Sequence, residues 1–164
     1  MMSQTKKMTT ITMLVAISVM FHMVESMIPL PIIVPGFKLG LANIVGLVAL
    51  YLFDSKAMIS VNLLRVVFAS LLRGMLFSTG FWLSLCGVIF SMSATILAKR
   101  YTPMTIYGVS VCGSSFHAIG QVIAVTLIYQ QFFMQAVLPI LIALGIPTGL
   151  FIAFFARQVV VRLK

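Results

Sequence analysis

The residues able to do chemistry are few, and their types limit what that chemistry can be. Only two acidic residues, two histidines and two cysteines stand against eleven lysines and arginines. Mg²⁺-assisted diphosphate chemistry takes clustered carboxylate oxygens, whereas Glu25 and Asp54 are far apart in the sequence and belong to no DDxxD run. No phosphate-binding loop or zinc spacing occurs, and Cys86 and Cys112 form no CxxC pair. They read as small hydrophobes. The expectation is therefore a protein without catalysis, metal or cofactor of its own. What remains is recognition. Lys38 and Asn43 lie in the run PGFKLGLANI from Pro35 to Ile44, Arg65 and Arg73 stand eight residues apart, and His117 and Gln121 form an i, i+4 pair. Lys38, Arg65 and Arg73 set against Glu25 make a net positive group, suited to a carboxylate or phosphate through charge-assisted hydrogen bonds.

The elements that position these groups are membrane helices. The chain is 62% hydrophobic and 8% charged, whereas soluble domains carry about 25% charged residues. Apolar segments long enough for a bilayer recur from end to end. The formal net charge of +9 is scattered between those segments with no basic stripe or stacking platform, which excludes nucleic acid and fits orientation signals and anionic lipid. The pattern predicts one all-α membrane domain over 1–164, with six transmembrane helices at about 8–28, 38–53, 57–77, 81–98, 106–129 and 136–156. Lys6 and Lys7 precede an apolar run too long for a signal peptide and containing His22 and Glu25, so it reads as a retained first helix. Pro29 and Pro31 end it. Pro139 and Pro147 fall inside the sixth segment, where a membrane helix tolerates them.

Topology follows from the cations. Lys6, Lys7, Lys56, Lys99, Arg100, Arg157, Arg162 and Lys164 all fall at one side of a six-helix arrangement. The positive-inside rule makes that side cytoplasmic, with both termini inside a cytoplasmic membrane. At about 1.5 Å per residue, Arg65 sits near mid-depth, Arg73 in the outer part, and Glu25, Lys38 and Asn43 toward the outer face. An eight-residue step turns about 80° around a helix, so Arg65 and Arg73 can share a broad face. An arginine at mid-bilayer costs about 2.5–3.5 kcal/mol on insertion scales and must face the bundle interior. These placements predict a polar pocket opening outward, with Pro35, Gly36 and Gly40 forming its entrance loop. Lys38 and Arg73 also suit anchoring at the interface, and His117 and Gln121 suit interhelical hydrogen bonding. Gly145 and Gly149 give a small-xxx-small packing face, and Gly113 and Gly120 allow close approach near the histidine.

The run PGFKLGLANI, preceded by Glu25-Ser-Met-Ile-Pro29, resembles the signature of the Gx transporter family, which also carries the label heptaprenyl diphosphate synthase component I. Leu64-Arg-Val-Val-Phe68, Leu72-Arg-Gly74 and His117-Ala-Ile-Gly-Gln121 fit the same pattern, with Ala118 where the family usually has asparagine. The family resembles the substrate-binding S components of energy-coupling-factor transporters. That resemblance implies a six-helix S-component-like bundle, a vitamin-type ligand near the outer face, and docking on a coupling membrane subunit with its ATPases through small residues of the first helix. Thr12 and Ala16 supply one such step and Met20 interrupts the next. The resulting expectation is a membrane substrate-binding subunit for a small anionic or vitamin-like molecule. Glu25, Lys38, Asn43, Arg65, Arg73, His117 and Gln121 would contact it. The alternatives are a non-catalytic membrane partner of a soluble prenyl diphosphate synthase subunit in isoprenoid or quinone metabolism, and a scaffold for a flavin or quinone redox assembly.

Overall fold

The structure, a computed structural model, describes residues 4–27, 40–130 and 132–163. It is an all-α bundle of α1 (Gln4–Met27), α2 (Leu41–Leu52), α3 (Ser55–Leu72), α4 (Thr79–Tyr101), α5 (Ile106–Tyr129) and α6 (Leu138–Leu163), with a 3-10 segment over Phe132–Val137. Five of these helices are long and apolar enough to cross a membrane, as in a multi-pass membrane protein. The sixth, α2, has 12 residues, or about 18 Å at the helical rise.

That short helix is the centre of the bundle. It packs against α1, α3 and α6, while α4 lies along α5 and α5 along α6. Val45, Leu47, Val48, Ala49 and Leu50 of α2 are all buried, in contact with core residues such as Val61, Val66 and Ile152. The reverse pattern holds on α1 and α6, where Met13, Met20, Val24, Phe154 and Phe155 are exposed. In water such faces would aggregate; here they are the surface turned to lipid tails.

Helix ends depart from the sequence expectation for identifiable reasons. Gly40 takes φ +79° at the start of α2, a left-handed conformation that glycine adopts without steric cost, so α2 begins at Leu41 rather than near residue 38. The third helix starts at Ser55 because the Asp54 carboxylate accepts from Ala57 N at 2.7 Å. It stops at Leu72, five residues before the expected end. Gly74 has φ +63°, Met75 N donates to Ser70 O at 2.9 Å, and Gly74 N donates to Leu71 O at 3.0 Å. This is a Schellman cap, readable in retrospect from Arg73-Gly74. Ser78 caps α4 by accepting from Phe81 N, and α5 has the expected bounds. The final helix runs on to Leu163, beyond the expected Ala156. Pro147 removes one backbone donor inside it; one residue on, the Thr148 hydroxyl donates to Leu144 O and Gly145 O at 3.1 Å.

One end of the bundle gathers cations. Lys7 Nζ meets Asp54 Oδ2 at 2.7 Å, Lys99 Nζ donates to Leu50 O at 2.7 Å and lies 4.4 Å from the Tyr51 ring centroid, and Arg157 faces Tyr107 at 6.0 Å. The start of α1, the α2–α3 turn, the end of α4, the start of α5 and the end of α6 therefore share one side, as the helix count requires.

Candidate functional site

Glycine contacts set the helices close enough to shape an interior site. A Cβ at Gly149 would stand 2.7 Å from Val111 Cα, and one at Gly120 would stand 2.7 Å from Cys86 O. The glycines of α6 and α5 are thus packing faces, as their spacing predicts. Gly87 has a different role: a Cβ there would stand 2.9 Å from both the His117 ring and the Gln121 side chain. It makes room for the two polar groups of α5.

Above the middle of the bundle these close approaches leave a polar cavity of about 50 Å³. Every helix contributes to it: His22 and Glu25 from α1, Asn43 from α2, Arg65 from α3, Ser84 from α4, and Ser114, His117 and Gln121 from α5, with Thr148 of α6 and Gly40 completing the wall. The volume is room for a few waters or one small head group, whereas pockets enclosing a whole drug-sized ligand run to about 300–1,000 Å³. Tyr, Trp and Phe are absent from the described lining.

Arg65 is the electrostatic focus. Its residue is 3% exposed, Nη1 donates to Asn43 Oδ1 at 3.0 Å, and Nε is buried without a hydrogen-bond partner among the described residues. A guanidinium carries five donors in a fixed fork, so the site holds donors not used by the fold. Glu25, 5% exposed, lies within electrostatic reach of Arg65 and accepts a hydrogen bond from Gly40 N. The carboxylate thereby ties the end of α1 to the start of α2, where the helix dipole favours negative charge.

Of the residues singled out in the sequence, Glu25, Gly40, Asn43, Arg65, His117 and Gln121 all line this one cavity. Lys38, Pro35 and Gly36 lie outside the described residues. Arg73 is the departure. It forms the C-cap of α3, is exposed, and is not part of the cavity wall. Arg65 and Arg73 do not share an inward face: Arg65 is buried, while Arg73, further around α3 at its C-cap, is exposed. Among the described residues the wall carries one fixed cation, Arg65, and one carboxylate, Glu25. Sequence reasoning undervalued His22, which sits one turn before Glu25, and passed over Ser84, Ser114 and Thr148. The glycines beside them, Gly87, Gly113 and Gly145, were the available signal. Thr12 and Ala16 are both exposed on α1. Among the described residues no group of His, Cys, Asp and Glu could hold a metal ion.

Comparison with known proteins gives one match. The family model described as heptaprenyl diphosphate synthase component I covers residues 14–159. No curated protein and no solved structure matches the chain.

Proposed function

Since the chain belongs to the heptaprenyl diphosphate synthase component I family, we propose that it is a membrane binding subunit, without catalysis of its own, for a small anionic molecule. The observation that carries this reading is Arg65: a buried guanidinium at the wall of a polar cavity, with donors left over after Asn43 is served. Burying that charge is costly unless something pairs with it. Glu25 offsets part of the cost, and an incoming carboxylate or phosphate would use the remaining donors. The small wall, with hydroxyl and amide groups beside Val66, Val88, Leu141 and Ile152 and no aromatic ring among its described residues, suits one small head group better than a flavin ring. Asn43, His117 and Gln121 would orient it, and Lys38 would meet it on the way in.

The protein sits in the cytoplasmic membrane with its cation-rich end and both termini inside, so that the cavity lies toward the outer face. Energy for transport would come from a coupling membrane subunit and its ATPases, with the exposed Thr12–Ala16 step on α1 as the docking position.

A second reading draws on the family description, which names a component of a prenyl diphosphate synthase. Here the diphosphate head would sit at Arg65 and the prenyl chain in lipid, with the chain-elongating chemistry in a soluble partner subunit. The test is a thermal-shift screen of the detergent-purified protein against short carboxylates, phosphate esters, vitamins and prenyl diphosphates. Ligand at about 100 times its Kd adds about 2.7 kcal/mol. A response lost in Arg65→Ala supports the binding site, and the responding class separates the two readings. A response unchanged in Arg65→Ala rejects it.

A further inference from the structure

Below Arg65, toward the cation-rich end, the interior stays polar. A second chamber of about 20 Å³ is walled by Asn43, Asn62, Ser91, Thr95, Ser110 and Ser114. Asn43 and Ser114 belong to both cavities, so the two are neighbours in one column. The chamber is about large enough for a single water-sized occupant.

Its polar groups are neutral amides and hydroxyls, set beside Leu47, Met58 and Ile152. Asn62 is 3% exposed, yet its carbonyl oxygen Oδ1 is buried with no hydrogen-bond partner among the described residues. An unsatisfied buried acceptor of this kind costs about 1–3 kcal/mol and calls for an occupant. The Thr95 hydroxyl donates to Ser91 O at 2.7 Å, which spends its proton and leaves its lone pairs to accept. Ser110 is buried beside them. Two glycines hold these side chains in place: a Cβ at Gly46 would stand 2.6 Å from the Asn62 amide, and one at Gly113 would overlap Thr95 Oγ1. The fold thus brings oxygen-bearing side chains together where larger residues would have filled the space.

We propose that this chamber is a binding site for one dehydrated monovalent cation of the size of Na⁺. Mg²⁺ and Ca²⁺ are bound largely through carboxylates, and the described residues of the chamber wall have none. Side-chain and backbone carbonyl oxygens suit a singly charged ion in the interior of a membrane helix bundle. The charge balance above gives the ion a role, and this part rests on the anion reading of the upper cavity. Arg65 and Glu25 nearly cancel; an anion beside Arg65 leaves the column net negative, and a cation in the chamber restores neutrality. Because such coupling is reciprocal, each ion raises the affinity of the other, by about fivefold or more.

The test uses the full chain in detergent with no anion other than chloride. Thermal unfolding is followed as NaCl replaces choline chloride at constant ionic strength. A saturable rise of about 2–4 °C specific to Na⁺ is expected when Na⁺ is well above its Kd, and Thr95→Val and Asn62→Leu abolish it. Since Asn62→Leu also alters packing against Gly46, uptake of radiolabelled Na⁺ by the unmutated protein is measured by equilibrium dialysis. The Na⁺ response is read without any candidate ligand of the upper cavity, so failure of the upper site and failure of the chamber give different results. Identical melting in Na⁺ and choline, with no saturable Na⁺ uptake, overturns the proposal and leaves the chamber to a water molecule.

Discussion

Arg65 Nη1 donates to Asn43 Oδ1 at 3.0 Å, so the middle of α3 is joined to the first turn of α2 inside the bundle. Two residues separated widely in sequence thereby fix the depth at which the short helix begins. Glu25 completes the arrangement from α1 through Gly40 N.

The first prediction concerns this triad. Arg65→Ala strands the Glu25 carboxylate in the interior and should cost about 3–5 kcal/mol of stability. The double variant Glu25→Gln/Arg65→Met should recover much of that loss while remaining unresponsive to anions. Denaturant or thermal unfolding of the two variants checks it, and equal destabilisation in both would show that the two charges are not coupled.

Gly87→Ala should act on the site through packing. Its Cβ would press on His117 and Gln121 at 2.9 Å, and overpacking of this kind costs about 1–3 kcal/mol. We expect weakened anion response at a modest loss of melting temperature. Gly80→Ala, which meets nothing closer than 3.8 Å, should leave both unchanged.

The Lys7–Asp54 pair gives a pH prediction. The hydrogen bond from Lys7, followed by that from Ala57 N, holds the Asp54 carboxyl below its usual value. A carboxylate depressed in the folded state contributes its full stability above the unfolded pKa, about 3.9, and loses it as pH falls through the folded pKa. Both side chains are more than 40% exposed, so the pair is worth about 1 kcal/mol or less. Asp54→Asn, which keeps the N-cap, should lower the melting temperature slightly at pH 7 and match the unmutated protein in strong acid. Asp54→Ala should lose about 1 kcal/mol more through the cap.

Orientation is open to direct measurement. With both native cysteines replaced, a cysteine at Thr102 should react with an impermeant maleimide only from the cytoplasmic side, and one at Gly80 only from outside. Reversed labelling would invert the topology and place the anion cavity on the cytoplasmic half.

Much of this arrangement was legible in the residues themselves. Apolar run length marked the spans, the scattered cations marked which helix ends come together, and the cost of an arginine at mid-depth required Arg65 to turn inward. The end of α3 was not legible from hydropathy, because Leu72 through Phe77 stays mostly apolar while Gly74 turns the backbone out of the helix. The serines and threonines of the cavity wall escaped notice for another reason: hydroxyls are unremarkable on membrane helices, and only close helix approach at Gly87, Gly113 and Gly145 gathers them into one place. Asn62 was visible in the sequence, but its unpartnered oxygen belongs to the assembled structure.

The shortness of α2 has a consequence for how the protein is made. Its 12 residues are too few to partition stably into lipid alone. Both of its ends are completed by other helices: Glu25 of α1 accepts from Gly40 N, and Lys99 of α4 donates to Leu50 O. Backbone groups left open in hydrocarbon cost several kcal/mol each, and α2 gains these partners only when α1 and α4 have come together around it. The central helix therefore depends on helices both before and after it in the chain, and the core of the bundle is complete only once all of them are in place.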